Sequence, residues 1–368
     1  MNSMLNRRDL LKTAGVVALG ASLGGCARAP AIAPSRRFAK VIVSPDRVIR
    51  TTVGLRPFRT SGFLVRGERF GEKTIIHNDG HGSNGVSMSW GTGHLAMEEA
   101  LQTGETEAAV IGCGAVGLAT ARLLQKQGIA VTIYAKDVPP DTTSNMSAAW
   151  FSPGLGGDAS QRTSAYVSQA RRAARLAHRY FQDLVNDDYG VRWIERYVLS
   201  DTAPSEPESP DPLADLTPED RQLAADEHPF PRAYARHYWT MLIEPGIYLE
   251  ALLRDVLLAG GKLVVREFDS LEELLSLPES LIINCTGLGA QVLFGDEQLV
   301  PIKGQLTVLL PQPEVDYIMG TTGLSTIPRK DGMLLGQSWE RGESSLEPNP
   351  SEMQRVMEGL TRFYAEMS

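Results

Sequence analysis

Apolar residues recur along this chain with two periods. Ala108 to Ile111 is uninterrupted after Glu107 and predicts a buried strand over 107–111. Helical spacing follows over 118–127, Gly128 stops it, and a second apolar strand is predicted over 129–134. Tyr166, Ala170, Ala173, Ala177, Tyr180, Phe181 and Leu184 are spaced as one face of a helix over 163–185, with Arg171, Arg172 and Arg175 on its solvated face. Shorter strands are predicted at 264–267, 281–283, 305–310 and 333–335, and a last helix at 351–367. Proline and acid crowd 201–220, which reads as a surface loop. Strands alternating with helices predict an α/β fold.

Composition narrows the class. With 368 residues, 42% hydrophobic and 22% charged, the chain is long enough for two domains and ordinary for a globular protein. A net charge of −8 disfavours nucleic acid as a partner, since phosphate binding needs a basic face. Cys26, Cys113 and Cys285 are too few for a disulfide scaffold or a cysteine-rich zinc site. The first residues differ in character. Asn6-Arg7-Arg8-Asp9-Leu10-Leu11-Lys12 precedes an apolar run of small residues that ends at Leu23-Gly24-Gly25-Cys26. Paired arginines before a short weak apolar core resemble a twin-arginine export signal over 1–25. Cys26 sits where a lipidated cysteine would become the new N-terminus, and 26–38 reads as a tether. The expectation is a protein exported by the twin-arginine machinery to the periplasm and anchored in a membrane by lipid on Cys26.

Between the strands at 107–111 and 129–134 lies Gly112-Cys113-Gly114-Ala115-Val116-Gly117. Strand, GxGxxG, helix and strand form the setting of a dinucleotide loop. Gly112 permits the tight turn, Gly114 admits a pyrophosphate, Gly117 lets helix and strand touch, and the phosphates face the helix start. The second strand ends in Ala135-Lys136-Asp137, without an acid at the usual ribose position, which weakens a simple NAD reading.

Several segments together resemble the D-amino acid oxidase family. They are Thr142-Thr143-Ser144-Asn145-Met146-Ser147-Ala148-Ala149-Trp150, Ile283-Asn284-Cys285-Thr286-Gly287, Gly54-Leu55-Arg56-Pro57-Phe58-Arg59 and the glycine-rich stretch from His77 to Gly91. In that family the last two lie near the C-terminus, whereas here they precede GxGxxG. The resemblance therefore implies a circular permutation. On it, a strand at 40–43 follows the C-terminal helix, the family's last helix falls at 94–102, and Thr103-Gly104-Glu105-Thr106 joins the former ends. A family strand beginning at Tyr238 would lead into a helix over 247–259. The implied fold is a Rossmann-type, glutathione-reductase-like FAD-binding domain interleaved with an antiparallel-sheet substrate domain. FAD-binding parts would span 39–190 and 247–300, substrate parts 191–246 and 301–345, and a C-terminal helix 346–368.

The resemblance also implies chemistry: FAD-dependent oxidation of a D-amino acid or related amine-bearing carboxylate, with hydride passing to flavin N5. The products would be an imino acid and, with oxygen as acceptor, hydrogen peroxide. Arg56 matches the arginine that clamps the substrate carboxylate, where a guanidinium offers two parallel donors. Cofactor contacts would come from Gly112, Gly114, Ala115, Val116, Gly117, Lys136, Asp137, Thr142, Thr143, Ser144, Trp150, Phe268 and Thr286, and from Gly82, Ser83, Asn84, Gly85, Val86 and Ser87. Ser152 and Ser325 would contact substrate. The family's two substrate-side tyrosines have no counterpart here. Thr321 and Ser325 stand at the approximate positions, and Arg329 could approach the enlarged wall. His77 and His81 are four apart, but the intervening Asp79-Gly80 argues against one helix, so no metal site is expected. A flavin dehydrogenase with another acceptor, a nicotinamide dehydrogenase and a non-catalytic flavin-fold lipoprotein are the competing readings.

Overall fold

A computed structural model describes residues 38–204 and 211–368. Arg7, Arg8, Cys26 and most of the tether fall outside these residues. So does part of the expected loop at 201–220.

In chain order the elements are β1 (Val48–Arg59), β2 (Leu64–Phe70), β3 (Lys73–Asp79), α1 (Gly85–Leu101), β4 (Glu107–Ile111), α2 (Ala115–Lys126), β5 (Ala130–Ala135) and α3 (Ser164–Asp183). Next come β6 (Val191–Ser200), β7 (Arg221–Leu223), β8 (Tyr234–Ile243), α4 (Pro245–Leu258), β9 (Lys262–Val265), α5 (Leu271–Leu275), β10 (Leu281–Asn284) and α6 (Gly289–Phe294). The last are β11 (Leu299–Leu309), β12 (Tyr317–Thr321), β13 (Leu324–Arg329), β14 (Gly332–Gly336), β15 (Glu340–Arg341) and α7 (Pro350–Glu366). Residues 39–368 form a single compact unit.

Two sheets organise this unit. One runs β2-β3-β10-β4-β5-β9 and is parallel from β3 to β9, with β2 an antiparallel edge. Its central strands carry apolar residues on both faces. Ala108, Ala109, Val110, Ile282 and Ile283 are wholly buried, as a parallel sheet covered on both sides requires. The other sheet runs β1-β11-β14-β13-β12-β6-β8-β7, with β15 on β11. It is mixed rather than antiparallel, because β6 and β12 pair in parallel. The chain leaves this sheet after β8, passes through α4, β9, α5, β10 and α6, and re-enters at β11, a connection long enough to reverse strand direction.

Three local expectations are corrected. Residues 40–43 form no ladder strand; the backbone N–H and C=O of Ile42 instead pair with the Gln312 side-chain amide. Val48–Arg59, within the stretch expected on the FAD side, belongs to the mixed sheet, paired with β11 throughout. The helix expected at 94–102 begins nine residues earlier. Its first half, rich in glycine and serine, has poor helix propensity, but it is buried nearly all round. Gly91 explains the choice. A Cβ there would lie 1.9 Å from the Ala173 carbonyl oxygen, so α1 and α3 touch backbone to side-chain-free backbone.

Candidate active site

The C-terminal ends of β4, β5, β3 and β10 open into a cleft of about 790 Å³ whose far wall is the mixed sheet. Such a position, beyond the carboxyl ends of parallel strands, is where open α/β sheets bind ligands. Every residue expected to touch cofactor or substrate lines this cleft except Ser325.

The glycine loop is shaped by close contacts. Gly112 has φ +115°, and a Cβ there would meet the Cys285 carbonyl oxygen at 2.5 Å. A Cβ on Gly117 would meet the Gly112 oxygen at 2.0 Å, so helix and strand approach as the motif requires. Gly114 is the extended N-cap of α2 and offers no side-chain cap. Of the amides that a helix start leaves unpaired, Ala115 N–H donates to Ser144 Oγ at 3.1 Å, while Val116 and Gly117 line the cleft. This is a cradle for phosphate. Ser144 thereby closes over the loop.

At the rim, Lys136 Nζ pairs with Glu267 Oε1 at 3.2 Å. Glu267 and Asp269 line the cleft together with Phe268 and Arg266, which lies 4.4 Å above the Phe268 ring. Acid therefore enters the rim from the segment after β9. A motif search confined to the end of β5 misses it.

Gly82 has φ +59°, and the turn at 82–84 delivers Gly85, Val86 and Ser87 as the start of α1. Asn84 Nδ2 donates to the Gly154 carbonyl at 2.9 Å, and Ser87 Oγ to the Ser152 carbonyl at 3.1 Å. A second helix start, tied to the segment after Trp150, thus lines the cleft.

Beneath it lies a polar knot. Asn284 Nδ2 donates to Asp79 Oδ2 at 2.6 Å and lies 3.2 Å from His77 Nδ1, while Asn284 Oδ1 accepts from the backbone N–H and hydroxyl of Thr286. Burial pushes the Asp79 carboxyl up to about 7, and its Oδ1 has no hydrogen-bond partner. His81 is pulled down to about 3 by burial and so is neutral, its Nε2 2.9 Å from Thr92 Oγ1.

Arg56 projects from β1 at the sheet side of the cleft. Nη1 donates to the carbonyls of Lys303 (3.3 Å) and Ser338 (3.4 Å), and Nη2 donates to Gln337 Oε1 (3.1 Å). Its Cζ lies 5.1 Å from the Trp339 ring. Among the described residues no carboxylate pairs with it. Burial alone draws the guanidinium down to about 10. Gly304, which the sequence did not flag, makes room for it, since a Cβ there would lie 2.3 Å from Nη2. Arg329 does not line the cleft. It holds Asp331 through Nε at 2.8 Å and Nη2 at 2.5 Å, and the Ser147 carbonyl through Nη1 at 3.0 Å. Ser325 gives its hydroxyl to the Gly336 carbonyl at 2.9 Å.

The arrangement fits FAD on its own terms: two helix starts at the cleft wall, glycines that leave no space for side chains, and one long cleft joining them. Comparison with known proteins agrees. Residues 107–367 match the family described as DAO, FAD dependent oxidoreductase. A D-amino-acid oxidase from Rubrobacter xylanophilus is 30% identical over 68% of this chain and 74% of its own length. A D-aspartate oxidase from Homo sapiens is 28% identical over 68% and 73%. Among solved structures, a FAD-bound L-α-glycerophosphate oxidase from Mycoplasma pneumoniae superimposes with TM-score 0.52 at 13% identity, covering 71% of this chain and 79% of that one. A glycine oxidase from Bacillus cereus gives 0.51 at 12%, covering 69% and 77%. At these identities the structural likeness concerns the fold. The family match covers most of the chain, and the protein belongs to the DAO family of FAD-dependent oxidoreductases.

Proposed function

We propose that this oxidoreductase oxidises the CH–NH2 group of a D-amino acid or a closely related amine-bearing carboxylate, with oxygen as acceptor and hydrogen peroxide as by-product. The observation that carries the reading is Arg56: a partly buried cation at the wall of the flavin cleft, held open over Gly304 and paired with no carboxylate among the described residues. A substrate carboxylate supplies the missing counter-charge, and the planar fork fixes the orientation of Cα. FAD, held between the glycine loop and the start of α1, would supply the hydride acceptor. The amides of Gly85, Val86 and Ser87, at the start of α1, offer positive partial charge to an anion in the cleft. Trp150 and Phe268 supply apolar walls that exclude water.

The test is anaerobic bleaching of the flavin by a panel of D-amino acids, their L forms and the corresponding decarboxylated amines. D-amino acids should bleach it, followed by peroxide on readmission of air; bleaching by the amines alone would overturn the reading. Arg56→Lys keeps charge but loses the fork, so substrate affinity or turnover should fall roughly ten- to a hundred-fold, the loss of a charge-assisted pair. Flavin content should not change.

The permuted order belongs to the same proposal. The family match begins at Glu107, at the first nucleotide strand, yet β1, β2 and β3 before it complete both sheets, and β1, β3 and the start of α1 line the cleft. Lys40 Nζ donates to the Met367 carbonyl, which places the two ends of the compact unit side by side. We further propose export by the twin-arginine route and lipid anchoring, supported by Arg7-Arg8 and Cys26. A Cys26→Ser protein should leave the membrane fraction after a salt wash; its retention there would overturn the anchor.

A further inference from the structure

Arg196, on β6, has no part in the site described so far. Ile194, two residues before it, packs with Ala148, Leu306, Ile318, Ile327, Leu334 and Trp150, the cluster on the cleft side of the mixed sheet. Side chains alternate along a strand, so Arg196 shares that face. Its Cζ lies 4.7 Å from the ring of Trp150, which lines the cleft. Its Nη1 donates to the Tyr238 hydroxyl, and its Nε is buried without a hydrogen-bond partner. Among the described residues no carboxylate pairs with it. An unneutralised arginine in the middle of a sheet is costly unless something else supplies the anion.

The surface before it is lined by small residues. Ser325 and Gly320 face each other across β13 and β12 in register, and both are partly exposed although they lie on interior strands. Ile194, Ile318, Ile327 and Leu334 on the same face are 1% exposed or less. The exposed patch is therefore local and made of small residues. Arg56 lies over Gly304 on one side of it. Arg196 lies on the other, with Nη2 3.8 Å from where a Cβ on Gly320 would sit.

The geometry points to Arg196 as a second anion clamp, so that the substrate is an amino acid carrying a further carboxylate at the end of its side chain. This rests on the reading of Arg56 as the α-carboxylate clamp. The guanidinium groups lie over β11 and β12, with β14 and β13 between them. Three strand spacings across and a two-residue step along the strands place them roughly 16 Å apart. About 4 Å at each end for a paired guanidinium and carboxylate leaves roughly 8 Å between carboxyl carbons. Aspartate, with its carboxyl carbons about 4 Å apart, is too short. Glutamate, at about 5 Å, falls short as well, and a side chain of aminoadipate length or longer comes nearest the span.

The experiment compares D-2-aminoadipate with its neutral counterpart D-norleucine, and with D-glutamate and D-aspartate, by anaerobic flavin reduction in the holoenzyme. Wild type should prefer aminoadipate over norleucine by about ten- to a hundred-fold in kcat/KM, with aspartate the poorest of the three acids. In Arg196→Met that preference ratio should collapse toward one while flavin content stays the same; Arg196→Lys should restore part of it. A neutral amino acid that reduces the flavin as well as the acids do, or a ratio unchanged in Arg196→Met, overturns the inference and leaves the oxidase reading standing. If no amino acid reduces the flavin, the oxidase reading itself fails. The second clamp is then judged by binding alone: adipate should perturb the wild-type flavin spectrum at lower concentration than hexanoate, and equal affinities overturn it.

Discussion

A single hydrogen atom decides where Arg56 sits. With a side chain at position 304, the guanidinium would lose the place it occupies over β11, because a Cβ there falls 2.3 Å from Nη2. Gly304→Val should therefore raise KM for the substrate at least tenfold while the flavin absorbance per protein stays constant; an unchanged KM would show that the guanidinium works from another position. Asp79 gives a test through pH. Its carboxyl is raised by burial from an ordinary 3.8 to about 7. Across that window the folded chain keeps a proton that the unfolded chain has lost, so this group's contribution is complete below the lower value and lost as pH rises through the upper one. Thermal unfolding followed from pH 4 to 8 should show a decline between those values that Asp79→Asn removes. Asn keeps the contact with Asn284 and carries no charge. Arg56 and the six residues of the glycine loop were legible in the sequence because their motifs are local. Gly304 was not, since nothing within β11 reveals that a side chain from β1 lies across it.

Elements show the same division. β4, α2 and β5 were readable to within a few residues, because apolar periodicity, the glycine turn and the stop at Gly128 all agree locally. α1 was half legible. Its glycines and serines argue against a helix until α3 is placed against Gly91. β6 was missed altogether, since its burial follows no simple alternation while it sits between β12 and β8 with different neighbours on its two faces. The start of α2 carries its own prediction. Gly114 faces Ser144 Oγ, 3.0 Å from where a Cβ would be. Gly114→Val should push Thr142–Ser144 away from the loop and fill the phosphate approach. Purified Gly114→Val protein should be colourless, with a helix content by circular dichroism close to wild type; a full complement of flavin would exclude this loop as the pyrophosphate site.

At the scale of the whole molecule the decisive contact is between the ends. Lys40 meets the Met367 carbonyl, and the Tyr317 hydroxyl donates to the Ala39 carbonyl. Thr103-Gly104-Glu105-Thr106 is a short turn with Gly104 at φ +75°. A chain rewired to join Ser368 to Ala39 by a few flexible residues, and opened within 103–106, keeps every sheet pairing. It should fold, bind FAD and retain wild-type substrate preference. Insoluble or flavin-free protein from this chain, with the unrewired 39–368 soluble and yellow, would show that the connection at 103–106 is needed for folding.

The sequence by itself determined the nucleotide-binding βαβ unit, the cofactor and the family, because those features depend on contacts between residues close along the chain or on motifs whose residue types admit few alternatives. Tertiary structure alone decided that β1 joins the mixed sheet, that Gly304 frees Arg56, that Arg329 is spent on Asp331, and that Arg196 shares a face with the cleft. All but the Arg329–Asp331 pair, which is local to the β13–β14 turn, depend on register between strands far apart in sequence. A one-residue slip would carry the side chain to the opposite face.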